Sequence, residues 1–373
     1  MAKKVKICFF SPASYPYFVP ENSVVHGGAE FQMFLLAEIL AKNPAFDIYF
    51  IIGKSKIKNL NISHIKLVRG LQFEKKELFL KKIYKIFCLL KIYIKIGPDI
   101  IINTTANAVV GISAFYKLMF NKKLIFRTAS EKDVNKTWSK QNGFLGKIYE
   151  FGIEKADYVV TQSVEHLNIL KENYNIKSAS VLKNGFKVEP VADVGKEYFL
   201  WVSRYVDMKR PELFVDLAKQ FPSEKFVMIC PYNPKDYKKW RKLKQKAEKL
   251  PNLTFIEKVP FHKIQKYFDS AKAFVNTSDY EGFPNTFLQA AQGKTPIVSL
   301  NVNPDNFLNE YNCGIFCKNN FDFLIENIRK LIENPTEIKV MGENAYRYLK
   351  KNHDIQITGK QLEKIIYKLV DFQ

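Results

Sequence analysis

Short apolar runs alternate with segments of helical periodicity along almost the whole chain. In the first half, Val5–Phe10, Ile48–Ile52, Ile65–Val68, Ile100–Asn103, Leu124–Arg127 and Tyr158–Thr161 read as buried strands. Helices are expected over Ala29–Lys42, Lys75–Lys95, Ala108–Phe120, Leu145–Lys155 and Glu165–Asn173. The second half repeats the theme. Its strands are expected at Tyr198–Val202, Lys225–Ile229, Leu253–Phe255, Ala273–Asn276 and Thr295–Ser299. Its helices are expected at Pro211–Gln220, Lys239–Lys249, Lys263–Asp269, Asn285–Gln292 and Phe321–Ile332. Short buried strands separated by helices imply parallel sheets built from right-handed crossovers.

The strand count suggests two such sheets, an α/β fold. The boundary is expected between Asn184 and Lys196, where turn formers replace helical periodicity. This gives a first domain over 1–185, a second over 196–354, and a tail. Two helices are expected from Pro335 onward. The last, Ile355–Phe372, carries Ile357, Leu362, Ile365, Ile366 and Leu369 at near-helical spacing. Ligands of open parallel sheets sit outside the carboxyl ends of the strands. With two domains, the cleft between those ends is the expected site.

Composition narrows the class. The 373 residues leave room for two domains, and 47% hydrophobic content supports sizeable cores. Five cysteines, an odd number, make no zinc-type set, so a reduced cytoplasmic compartment is expected. Neither a secretory signal nor a run of about 18 apolar residues is visible. The 58 basic and 37 acidic residues leave a net charge of +21, which attracts polyanions such as nucleic acid, anionic membrane or phosphorylated substrates. Scattered lysine without a nucleic-acid module argues against nucleic acid.

Three segments carry candidate chemistry. In Ser278-Asp279-Tyr280-Glu281-Gly282-Phe283-Pro284-Asn285-Thr286-Phe287-Leu288-Gln289-Ala290, an apolar strand ends at a polar elbow and a helix begins near Pro284. Proline suits the first helical position, and the helix start offers N–H groups to a phosphate. Glu281 lies in the elbow and Gln289 about a turn into the helix. A carboxylate beside an anion-binding helix end points to a ligand with phosphates and hydroxyls, such as a nucleotide-sugar. After the first strand, His26-Gly27-Gly28-Ala29-Glu30 opens a helix, and paired glycines there let a phosphate approach the backbone. Glu30 reads as a first-turn acid that favours the helix dipole. In Ser203-Arg204-Tyr205-Val206-Asp207-Met208-Lys209-Arg210-Pro211, Arg204 follows a strand end and Lys209 precedes a helix. A guanidinium and an ammonium there would stabilise the charge growing on a departing diphosphate.

These segments resemble the family 4 glycosyltransferases, which have the GT-B fold of two facing Rossmann-like domains. Their donor motif places two glutamates eight positions apart around Glu-Gly-Phe-Pro-Asn. Glu281 matches the first, and Gln289 stands in place of the second. The resemblance implies that Glu281 bonds hydroxyls of the donor sugar, that position 289 holds the ribose, and that Gly282, Phe283, Asn285 and Thr286 line the donor site. It implies that Gly27 and Gly28 lie against the diphosphate, and that Arg204 and Lys209 contact its phosphates. Arg210 could substitute for either. Lys183-Asn184-Gly185 is similar to the family's Pro-Asn-Gly turn, and Ala156–Ser163 to a late strand and turn of its first domain, with Ser163 a helix cap. Many relatives carry a histidine after the strand that here leads into Arg127-Thr128-Ala129-Ser130, and this chain has none there. In the family the tail crosses back onto the first domain.

The helix expected at Lys75–Lys95 stands apart from this chemistry. Phe79, Ile83, Ile86, Phe87, Leu90 and Ile94 share one face, expected to pack on the sheet. The opposite side mixes Lys81, Lys85 and Lys95 with Leu78, Leu89, Ile92 and Ile96. Two readings follow: contact with an anionic membrane surface, or a buried helix whose lysines snorkel to water.

Taken together, the resemblance implies a retaining, hexosyltransferase-like enzyme that needs no metal or other cofactor. Its donor is expected to be a nucleotide-sugar, a UDP-sugar foremost, and its acceptor a glycan or lipid-linked hydroxyl in surface polysaccharide or glycolipid synthesis. A cytoplasmic location is expected, peripheral on the inner face of the cytoplasmic membrane if the basic helix meets an anionic surface. Competing readings are an epimerase or phosphorylase of the same fold, and a catalytically degenerate nucleotide-sugar-binding or scaffold protein, which Gln289 and the absent histidine motivate.

Overall fold

The computed structural model describes residues 4–18, 27–53, 61–70, 79–191, 194–232 and 234–370. His26 lies outside the described residues. The chain divides into two compact units, Met1–Gly185 with Ile355–Gln373, and Phe186–Asp354.

The first unit is built on β1 (Val5–Phe10), β2 (Phe46–Ile52), β3 (Asn61–Ile62), β4 (Ile65–Arg69), β5 (Ile100–Thr104), β6 (Lys123–Arg127), β7 (Tyr158–Thr161) and β8 (Ala179–Val181). They form one sheet in the order β3-β4-β2-β1-β5-β6-β7-β8. Every pairing is parallel except β3 with β4. The second unit holds β9 (Tyr198–Val202), β10 (Phe226–Ile229), β11 (Leu253–Ile256), β12 (Ala271–Asn276), β13 (Ile297–Ser299) and β14 (Gly314–Phe316), all parallel, in the order β11-β10-β9-β12-β13-β14. Both sheets therefore reverse direction of growth beside their first strand, at β1/β5 and at β9/β12. That is the switch point at which open α/β sheets bind ligands.

Helices connect the strands. They are α1 (Gly28–Leu40), α2 (Phe79–Ile96), α3 (Val109–Phe120), α4 (Thr137–Gln141), α5 (Gly143–Glu154) and α6 (Val164–Asn173) in the first unit. The second unit has α7 (Pro211–Gln220), α8 (Tyr237–Ala247), α9 (Gln265–Asp269), α10 (Asn285–Gln292), α11 (Phe307–Glu310), α12 (Phe321–Glu333) and α13 (Pro335–Asn352). The last helix, α14 (Ile355–Val370), returns to the first unit. There it packs on α1, with Gly359 against Ile39, and Asn43 Nδ2 donates to Tyr367 Oη at 2.9 Å and Glu363 Oε1 at 3.2 Å. Among the described residues no helix is long and apolar enough to cross a membrane. All five cysteines are free.

One face of the first sheet is covered by α2, α3 and α5. Leu89, Tyr93 and Ile96 of α2 share a core with Val110, Ala114 and Tyr116 of α3 and with Tyr149 and Ile153 of α5. Hydrogen bonds tie the layer: Tyr93 Oη and Ser113 Oγ are 3.0 Å apart, and Tyr116 Oη donates to the Tyr93 carbonyl at 3.1 Å.

This corrects the expected orientation of α2. Leu89 and Ile96, assigned to its outer side, are buried, whereas Phe87 and Ile94, assigned to the sheet, are exposed. Lys85, assigned to the outer side, is buried too. The side chain of Lys81 lies outside the described residues. A helix rich in apolar residues on all sides has no face that its sequence alone marks as inner. Its observed rotation buries Tyr93, whose hydroxyl finds a partner in Ser113.

Candidate functional site

The site of the second unit is assembled at its switch point, from the loops that follow β9 and β12. The first loop contains the 3-10 turn Asp207–Lys209, then Arg210 in a left-handed conformation (φ 44°), then Pro211 at the first position of α7. The second runs from Thr277 to Pro284. Pro284 itself is the N-cap, and α10 starts at Asn285, as expected.

The two loops are stitched together by their own polar groups. Trp201 Nε1 donates to Thr277 Oγ1 at 2.9 Å, and that hydroxyl donates to the Lys209 carbonyl at 2.6 Å. The Asp279 N–H donates to the Met208 carbonyl at 2.8 Å. Arg210 Nε donates to the Thr277 carbonyl at 2.8 Å and pairs with Asp279 at 2.9 Å, and its Nη1 donates to Asn319 Oδ1 at 2.7 Å. Arg210 is thus spent on architecture. It does not substitute for Arg204 or Lys209.

Within this frame Lys209 Nζ meets Glu281 Oε2 at 2.5 Å, with side chains 16% and 15% exposed. The other carboxylate oxygen, Oε1, accepts from Ser278 Oγ at 2.7 Å and Asn276 Nδ2 at 3.0 Å. Burial pushes the Glu281 carboxyl up, but Lys209 and these two donors outweigh it and hold it below the ordinary glutamate range. The pair is a charged donor beside a charged acceptor, largely shielded from water. Such a pair can bond a hydroxyl and a phosphate oxygen at neighbouring positions.

Sequence reasoning placed Lys209 and Glu281 in the site, and the structure brings them together. Arg204 follows the end of β9 with its side chain exposed and without an ion-pair partner among the described residues. Gln289 is buried one turn into α10. Asn285 and Thr286 open the first turn of α10. Gly282 lies in the elbow. Phe283, expected to line the donor site, turns its ring into an aromatic cluster with His353 (4.4 Å), Phe307 and Tyr348, so that ring serves packing. Asn276 and Ser278 were missed as site residues. A polar pair at the end of an apolar strand was the available signal.

In the first unit, Gly27 is the N-cap of α1 and Gly28 its first residue. The Gly27 φ of −75° needs no glycine; a Cβ there would instead run into the Glu30 carboxylate, which folds back over the helix start. Glu30 thereby acts as the expected first-turn acid. After β6, Arg127 is 1% exposed and reaches back to Asn184 Oδ1 through Nη2. Burial pulls its pKa down to about 10, against the pull of Asp133. Asp133 organises the loop that follows, accepting from the amides of Ala106, Ala129 and Ser130. The neighbouring Gly185 exchanges two hydrogen bonds with Gln32, at 2.8 and 2.9 Å. Ser163 caps α6, accepting from the His166 amide at 3.2 Å. Among the described residues no group of three His, Cys, Asp or Glu side chains could hold a metal ion.

Comparison with known proteins bears on the family and the fold. Residues 184–348 match the family described as glycosyl transferases group 1. The chain is 28% identical to an uncharacterised glycosyltransferase of Methanocaldococcus jannaschii, across 99% of this chain and 100% of that protein. It is 23% identical to the capsular polysaccharide biosynthesis glycosyltransferase CapH of Staphylococcus aureus, across 66% of this chain and 69% of that one. Among solved structures, Anabaena HepE in complex with UDP and glucose has a TM-score of 0.76 at 14% identity, covering 98% of this chain and 100% of the other. The second unit therefore carries a group 1 glycosyl transferase domain, and the chain as a whole has the two-sheet α/β fold of the GT-B glycosyltransferases.

Proposed function

We propose that the protein is a retaining transferase of the family 4 type that moves a hexosyl group from a UDP-sugar to an acceptor hydroxyl, without a cofactor. The observation that carries this reading is the Lys209–Glu281 pair at the switch point beside the start of α10. Glu281 holds hydroxyls of the donor sugar. Lys209 and the exposed Arg204 take the negative charge that grows on the UDP phosphate as the anomeric C–O bond breaks. The acceptor oxygen forms its bond to the anomeric carbon on the same face, and its proton passes to the departing phosphate oxygen. Amides of the α10 first turn and the side chain of Gln289 hold the nucleotide. In the first unit, the Gly27–Gly28 start of α1 would take an anionic group once Glu30 yields its place.

CapH supports surface polysaccharide as the product class, and HepE supports UDP as the nucleotide. A glycan or lipid-linked acceptor, worked at the cytoplasmic face of a membrane, completes the reading. The test is a panel of nucleotide-sugars screened for thermal stabilisation of the purified chain, followed by turnover assays. Stabilisation by a UDP-sugar, with turnover lost in Glu281→Ala, Lys209→Ala and Arg204→Ala, supports the transferase. Stabilisation without turnover on any acceptor supports a donor-binding protein instead, a reading that Gln289 favours.

A further inference from the structure

The first unit carries a large apolar face that the transfer chemistry does not use. Among the described residues, nineteen large hydrophobic side chains are exposed, and nine of them lie on α2, α3 and α5. Phe144 is 74% exposed, Tyr84 65%, Met119 61% and Phe87 60%. These are surplus to the fold, because the inner faces of the same helices already fill the core beneath. An apolar groove of about 520 Å³ lies between the three helices, bounded by Ile112, Phe115, Ile148 and Phe151. Scattered exposed hydrophobics are ordinary; a contiguous patch marks an interaction surface.

The charge around the patch selects its partner. α2 and α3 together carry six lysines and no acidic residue. Lys91, Lys95 and, on α5, Lys147 are exposed. The acids nearby are mostly engaged: Asp157 pairs with Lys117, Asp99 with Lys122, and Glu150 accepts from Ser139 Oγ, which leaves Glu154 at the end of α5. A second copy of the chain meeting this face with its own would set lysines against lysines. An anionic bilayer supplies the opposite charge and an apolar interior together.

We propose that the α2–α3–α5 face docks on an anionic lipid bilayer. Phe87, Met119, Phe120 and Phe144 enter the interfacial layer, and Lys91, Lys95 and Lys147 meet lipid phosphates. The inference deepens the peripheral-membrane part of the proposed function and rests on that part, but not on the donor chemistry.

The test is flotation of the full chain with vesicles of phosphatidylglycerol and phosphatidylcholine, against phosphatidylcholine alone, at low salt. Binding is expected to the anionic vesicles and to weaken as salt rises. Phe144→Ser with Met119→Ser should lower vesicle affinity about tenfold or more. Lys91→Glu with Lys95→Glu should lower it about fivefold or more per lysine. All four positions are exposed, so melting temperatures should stay close to that of the parent. Stabilisation by UDP-glucose, which reads the second unit, is measured on the same samples. Its absence throughout would fault the donor reading while leaving the vesicle result intact. The proposal is overturned if the parent ignores anionic vesicles or if the variants float as well as the parent. It is equally overturned if the serine substitutions instead dissolve a dimer of a protein that binds no vesicles.

Discussion

Lys209 Nζ and Glu281 Oε2 lie 2.5 Å apart, joining the loops that follow two neighbouring strands, β9 and β12. Each holds the other's charge, so neither acts alone. Replacing Glu281 by Gln keeps the shape and a hydrogen-bonding end while removing the charge. Transfer, measured as kcat/KM with the donor that stabilises the protein, should fall by about 10²-fold in Glu281→Gln and by a similar factor in Lys209→Met. The double variant should fall by much less than the product of the two, because groups that act as a unit are not additive. A fully multiplicative double variant would show that the pair does not work as one.

The same pair makes stability depend on pH. The folded-state pKa of Glu281 is lowered, so the carboxylate stabilises the fold above the ordinary glutamate value of about 4.3. That contribution disappears as pH falls through the lowered folded value. Urea unfolding of the parent and of Glu281→Gln should therefore differ most near neutral pH, and the difference should close below about pH 4. Equal pH slopes for the two proteins would show that Glu281 carries no linked proton.

Arg127 tests a different balance. Its guanidinium is buried, with Nε and Nη1 lacking hydrogen-bond partners and Nη2 held by Asn184. Removing that partner leaves the cation with none of its donors satisfied. Asn184→Ala should cost about 1–3 kcal/mol in urea unfolding. Arg127→Met, which replaces the charge by an apolar chain of comparable length, should cost much less and could raise stability. If Arg127→Met were the more damaging of the two, the guanidinium would have a further partner that offsets its burial.

Much of this architecture was legible in the residues. Val5–Phe10, Tyr158–Thr161 and Tyr198–Val202 have the bounds expected from their apolar runs, because a strand buried on both faces has few polar residues to blur its ends. Pro211–Gln220 and Asn285–Gln292 also match, each preceded or opened by a proline that fixes the start. What failed was short or rotational. Asn61–Ile62 and Gly314–Phe316 give too few residues for a period to show. The rotation of α2 was misread because apolar residues surround it, and the contact that marks its inner side, Tyr93 with Ser113, lies across two helices. In the site, Lys209 and Glu281 were readable from their places after strand ends. The role of Arg210 was not, because it comes from hydrogen bonds to residues far away in sequence, and those of Asn276 and Ser278 depend on how the elbow folds back on Glu281.

The tight seam beneath the apolar face yields the last prediction. Gly152 of α5 lies against the backbone of Val110 and Gly111 in α3, so a Cβ at 152 would overlap main-chain atoms that cannot swing aside as a side chain would. The helices would have to move apart, loosening a layer that also buries Tyr149 and Ile153. Gly152→Ala should therefore destabilise by about 1–3 kcal/mol, despite the better helix propensity of alanine. Gly195→Ala is the matched control, since a Cβ there meets nothing within 4 Å, and it should change stability by no more than about 0.5 kcal/mol. Urea unfolding of both variants decides the point. A Gly152→Ala protein as stable as the control would mean that the α3–α5 seam yields without cost, and that the outer layer of the first unit is looser than its close backbone packing implies.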